Sequence, residues 1–204
     1  MSSVWTVVAV CVCLLGVAGG TPALGGVVLN EAMADPARDW SPTDGDDVYD
    51  SVDDEWIEIL NTGPDAVDIT GWRLRDASVD WRYGFTGVLA PGGRVTVYGN
   101  ESYDWEEANG FARSGLSLNN SGDTITLYAA DLVTVIDTVT YTSVQMLDDR
   151  SYGRMPDGGP GWYVFDGLNL MTPPATGLMP SPNMPNGGSP VEDAAWGSIK
   201  AMFR

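Results

Sequence analysis

Short apolar segments separated by turn-forming clusters run through this chain from Val27 onward, and this punctuation limits it to a small set of folds. Glu55-Trp56-Ile57-Glu58-Ile59-Leu60 alternates acid and aliphatic, as a strand with one face in a core does. Gly71-Trp72-Arg73-Leu74-Arg75 puts Trp72 and Leu74 on one side and two arginines on the other. Arg94-Val95-Thr96-Val97-Tyr98, Thr124-Ile125-Thr126-Leu127-Tyr128 and the β-branched run Val135-Ile136-Asp137-Thr138-Val139-Thr140-Tyr141 repeat the two-residue period. Between them stand Asn61-Thr62-Gly63-Pro64-Asp65, Pro91-Gly92-Gly93 and Asn119-Asn120-Ser121-Gly122-Asp123, which supply the fixed and positive φ angles of tight turns. The pattern predicts an all-β sandwich, mainly antiparallel, from Val27 to about Tyr163, with almost no helix. Trp72 is expected in its core with Ile57, Leu74, Val97, Ile125 and Leu127.

Three regions break the pattern. Asp35 to Asp54 is a polar, acid-rich insertion. Gly167 to Pro190 is dense in Pro, Gly, Asn and Met and reads as an ordered wrap passing into a linker. Glu192 to Arg204 has Trp196, Ile199 and Phe203 at helical spacing, so a short helix and a partner-docking or sorting peptide are one reading; a tail packed on its own domain is the other.

Val7 to Val17 is apolar apart from Cys11 and Cys13, is followed by Ala18, Gly19 and Gly20, and is short for a membrane span. Residues 1–20 are therefore expected to be a signal peptide. Both cysteines of the chain lie inside it, so the mature protein would carry no disulfide and no thiol. The boundaries expected are a β-sandwich domain over 27–183 and a linker with a short tail over 184–204. The expected location is secreted, extracellular or on the cell surface, with no membrane span once the leader is removed.

The turn-and-strand series resembles the lamin-tail domain family, in the form found in secreted bacterial proteins. The opening Val28-Leu29-Asn30-Glu31-Ala32-Met33-Ala34-Asp35-Pro36 and Asp54-Glu55-Trp56-Ile57-Glu58-Ile59-Leu60-Asn61 carry it. So do Val67-Asp68-Ile69-Thr70-Gly71-Trp72-Arg73-Leu74-Arg75-Asp76 and Leu89-Ala90-Pro91-Gly92-Gly93. Leu118 to Leu127, Ile136 to Tyr141, Ser151 to Gly158 and Ser181-Pro182-Asn183 follow in order. The resemblance implies an immunoglobulin-like sandwich with a Pro/Gly-rich C-terminal tail and no catalytic residues. The acidic insertion is longer than the family's usual spacing.

Composition narrows the chemistry. There is no histidine, so a Ser-His-Asp triad and histidine-ligated zinc are out of reach. The one lysine, Lys200, lies in the expected tail, and no phosphate-cradling Gly-rich loop is present. Paired carboxylates alone remain for catalysis, and no enzyme is expected. A net charge of −18 disfavours nucleic acid and anionic lipid as partners. Asp44, Asp46, Asp47, Asp50, Asp53 and Asp54 are candidate calcium ligands, since hard cations take several carboxylate oxygens. The alternative is a solvated acidic loop, and the spacing does not fit an EF-hand, because Tyr49 stands where its glycine belongs. Trp40, Trp81, Trp105 and Tyr103 fall in loop-like segments, where they could stack on sugar rings or cap the core. The function expected is that of an exported non-catalytic module for surface or extracellular interaction, with a protein or surface glycan as partner. The alternatives are a calcium-stabilised or carbohydrate-binding module, or an accessory piece of an extracellular hydrolase system.

Overall fold

The computed structural model describes residues 26–36 and 48–187. The leader, Trp40, Asp44, Asp46, Asp47 and the segment Glu192 to Arg204 lie outside these residues. Eleven strands and one helix follow in order: β1 Val27–Met33, β2 Trp56–Asn61, β3 Val67–Asp68, β4 Arg73–Arg75, β5 Tyr83–Gly84, β6 Val88–Leu89, β7 Arg94–Tyr98, α1 Gly99–Ala108, β8 Gly122–Tyr128, β9 Val135–Thr142, β10 Ser151–Arg154 and β11 Trp162–Phe165. One sheet runs β11-β10-β1-β2-β7 and the other β5-β4-β8-β9, with β3 and β6 as a separate pair. Every pairing is antiparallel. This is the expected immunoglobulin-like sandwich.

The core comes from the inward members of each alternation. Leu29, Ala32, Ile57, Ile59 and Val97 from one sheet meet Leu74, Ile125, Leu127 and Val139 from the other. Trp72 is 7% exposed and belongs to this cluster together with all five expected neighbours. Gly71 delivers it from a turn at φ +86°, a backbone state that disfavours a side chain.

Two features depart from the sequence reading. First, α1 occupies a stretch expected to be a loop, and Tyr103 and Trp105 lie on it. Its buried residues are Gly99, Ser102 and Glu106, so its inward stripe is polar and gives no apolar helical period. Glu101 accepts the Tyr98 backbone N–H at 3.0 Å and so helps close the first turn. Gly99 is fixed by contact: a Cβ there would stand 1.9 Å from the Val52 carbonyl oxygen. Second, β2 is buried on both faces. Ile57 and Ile59 face the core; Glu58 faces outward, where the C-terminal segment covers it. Asn186, placed by sequence in the linker, is buried there and donates to the carbonyls of Arg154 and Asn30.

Candidate functional site

The acidic insertion enters the described residues at its last turn. Asp50 Oδ1 accepts the N–H groups of Val52 and Asp53 at 2.9 and 3.2 Å, and Asp54 Oδ2 accepts that of Asp50 at 2.9 Å. Asp50 and Asp54 thus close a turn on each other's backbone. Among the described residues no group of three or more acidic side chains is placed to hold a metal ion. The other three candidate ligands, Asp44, Asp46 and Asp47, lie outside those residues, so the six are not seen together.

The aromatic candidates carry arginines on their rings. The Arg75 guanidinium lies 5.4 Å from the Trp81 centroid and 4.9 Å from that of Tyr128. Arg73 lies 5.1 Å from Trp105, which also stacks with Phe111 at 5.3 Å, and Arg113 lies 5.3 Å from Tyr103. The three aromatics are half-buried and spread over separate contacts instead of forming one open platform.

On the outer face of the larger sheet a polar network lies beneath residues 181–186. The Glu31 carboxylate, fully buried, accepts bonds from the Ser151 hydroxyl, the Ser181 N–H at 3.1 Å and the Ser181 hydroxyl at 2.7 Å. Burial pushes its pKa from 4.5 to about 7, against the pull of those three donors. Glu58, its cross-strand neighbour, takes bonds from Asn30 at 2.8 Å and from the Asn183 N–H at 2.8 Å, and it pairs with Arg94 at 3.4 Å. Burial raises Glu58 as well, partly offset by the Asn30 bond and the Arg94 charge. These residues fasten the C-terminal segment to β1 and β2. Nothing local signals this, because acids alternating with aliphatics look like a solvent face.

A second arrangement lies at the end of the sandwich. An open cleft of about 420 Å³ forms between Ala34, the turn at Val52, Tyr103 of α1 and the loop from Ser114 to Asn120. Glu55 lines it and is 4% exposed. Its Oε2 accepts the Leu118 N–H at 3.1 Å. Burial pushes its pKa to about 9; the Leu118 bond opposes this, and the charges of Asp35 and Asp123 add to it. Asp35 is itself raised to about 6 by burial and by Asp148, with which it shares a hydrogen bond. The buried Tyr141 hydroxyl has no hydrogen-bond partner among the described residues and lies in the field of Asp123 and Glu55. Sequence reasoning missed Glu55 as a site residue: it stands at the edge of the acidic run, and Leu118 of the loop that encloses it follows 63 positions later.

A model of the Lamin Tail Domain family matches residues 21–143, more than half of the 204-residue chain. No curated protein matches the sequence. The matched stretch spans β1 to β9, both faces of the core and the Glu55 cleft, while β10, β11 and the C-terminal cover follow it. On that match and the sandwich it encodes, the chain belongs to the lamin tail domain family.

Proposed function

We propose that this chain is an exported, non-catalytic module that binds a protein partner through basic groups on that partner. One observation carries the reading: the arginines of the described domain, apart from the exposed Arg113, are turned inward. Arg82 pairs with Asp76 at 3.0 Å and Glu106 at 3.1 Å, Arg94 with Glu58 and Asp157, and Arg154 with Asp137 at 2.9 Å. Arg150 donates to the carbonyl of Asn169 at 2.7 Å, and Arg73, Arg75 and Arg113 lie over aromatic rings. Asp65, Asp68, Asp80, Asp104, Asp131 and Asp148 face solvent. Such a surface draws basic proteins in and holds anionic polymers off. A protein partner is favoured over a glycan because the described candidate stacking rings, Trp81, Tyr103 and Trp105, already carry guanidinium groups. The leader pattern supports export, and the lack of histidine supports a role without catalysis.

The test uses the purified exported chain. Its intact mass is expected to begin between Gly19 and Gly25, and a mass that includes Met1 would refute export. On an interferometry sensor it is expected to bind immobilised polylysine and not polyglutamate or a panel of neutral glycans. Glycan binding without polylysine binding would overturn the proposal.

A further inference from the structure

We infer that the Glu55 cleft is a binding pocket for a single basic side chain of a partner protein, a lysine ammonium or an arginine guanidinium on its aliphatic stem. This deepens the reading above and rests on it. The shape fits first. Ala34, Val52 and Leu118 are its apolar lining residues, suited to methylene groups, and Ser51, Ser114 and Ser117 are among its polar ones. A volume of about 420 Å³ holds one long side chain with room for water.

The electrostatics fit next. Glu55 is buried beside the cleft, and the backbone of the Ser117–Leu118 loop donates to it, the Leu118 N–H reaching Oε2 at 3.1 Å. Among the described residues the charged groups that face this end are acidic, with Glu106 already paired to Arg82. Asp35 follows β1, Asp50 and Asp53 precede β2, Glu106 lies on α1, and Asp123 lies on β8. Tyr103 and Tyr141 contribute phenols whose ionisation burial and these same acids oppose. Arg113 stands next to the lining Ser114, but it is spent on the Tyr103 ring and on Glu107 at 3.5 Å. Among the described residues the pocket is therefore a desolvated carboxyl in a negative field with no cation against it. An incoming ammonium would supply that charge, and Glu55 would give up its proton to form a charge-assisted hydrogen bond. A divalent ion is a poorer occupant, since the described residues place no three acidic ligands together.

The experiment is calorimetric titration of the exported chain with a blocked peptide bearing one central lysine. The same peptide with norleucine at that position, and free butylammonium, are the controls. The lysine peptide is expected to bind, the norleucine peptide not, and butylammonium more weakly than the peptide. Equal affinity for butylammonium and the peptide would overturn a protein side chain as the occupant. Repeating the titration at neutral pH in buffers of different ionisation enthalpy is expected to show release of about one proton per peptide. Glu55→Gln, which keeps an oxygen for the Leu118 N–H, is expected to weaken binding roughly tenfold or more. If the lysine peptide binds both proteins equally and without proton release, the pocket is refuted while a diffuse acidic docking surface stands. If it binds neither and polylysine also fails, both readings fall. A Glu55 carboxyl already ionised at neutral pH in the free chain, read from its carbon-13 shift, would also overturn the inference.

Discussion

Glu31→Gln is expected to make the protein more stable at neutral and alkaline pH, although it removes a charge that accepts three hydrogen bonds. Glu31 is fully buried, and its pKa lies at about 7 in the folded chain against 4.5 when unperturbed. Folding therefore disfavours the ionised carboxylate by about 3 kcal/mol. The sign follows from where the proton sits. Below the unfolded pKa both states are protonated and nothing is lost. As pH rises towards about 7 the unfolded chain ionises while the folded one does not, and stability falls. The geometry shows why the neutral form fits. A protonated Oε2 can donate to the Ser181 hydroxyl at 2.7 Å, which in turn donates to Asn186 Oδ1 at 3.2 Å. Oε1 still accepts from Ser151 and from the Ser181 N–H. A glutamine amide copies that pattern, with Nε2 donating and Oε1 accepting. The assay is urea unfolding of both proteins from about pH 4 to about pH 8, with the stability difference expected to move by about 3 kcal/mol in favour of the glutamine variant. Glu55 titrates in both proteins, so its effect cancels in the difference; Glu58 repels Glu31 when both are ionised, and losing that repulsion favours the glutamine variant in the same direction. A difference that stays flat with pH, or that turns against glutamine in alkali, would refute the reasoning.

Trp72→Ala should cost about 3–5 kcal/mol in urea unfolding, and a loss below about 1 kcal/mol would remove Trp72 from the core. Asp166, fully buried, accepts the N–H groups of Met171, Ala175, Thr176 and Gly177, and these bonds outweigh burial and hold its pKa well below the ordinary carboxylate range. Asp166→Ala should cost about 3 kcal/mol or more. That cost should persist as pH falls through the unperturbed value of 3.8 and disappear only in stronger acid; a gap that closes by about pH 5 would contradict it. The calcium proposal for Asp44, Asp46, Asp47, Asp50, Asp53 and Asp54 predicts a larger rise in Tm in millimolar calcium than in sodium chloride of equal ionic strength. Equal shifts would reduce the loop to a solvated acidic turn.

Whereas β5, β10 and β11 carry no aliphatic run and left no periodic signal, the longer strands β1, β2, β7, β8 and β9 were legible because each puts aliphatic residues on its inward face. Trp72 stood out for the same reason, since Gly71 and the flanking arginines left it only one direction to point. The helix was not legible, because its inward stripe is held by an ion pair between Glu106 and Arg82 and by Ser102 donating to the Arg82 carbonyl at 2.6 Å. Period analysis weighs apolar residues and passes over such a stripe; Glu101 in the first turn was the available signal. The burial of Glu31 and Glu58 is a tertiary fact. What covers them comes from Ser181 and Asn183, and separations of 150 and 125 residues leave no local trace. The cleft is hidden in the same way: Glu55 looks like one more acid in an acidic run until the loop at Leu118 closes over it.

The cover over Glu31 also sets an order of events during synthesis. β1 emerges first, yet Ser151 and Ser181, which receive its carboxyl, follow 120 and 150 positions later. Until they arrive the carboxyl stands in water as an anion, and the half-built sheet keeps a wet outer face that resists pairing with other nascent chains. Closing the last segment then favours uptake of a proton from solvent. The final step of maturation should therefore be more favourable in a mildly acidic compartment than in an alkaline one.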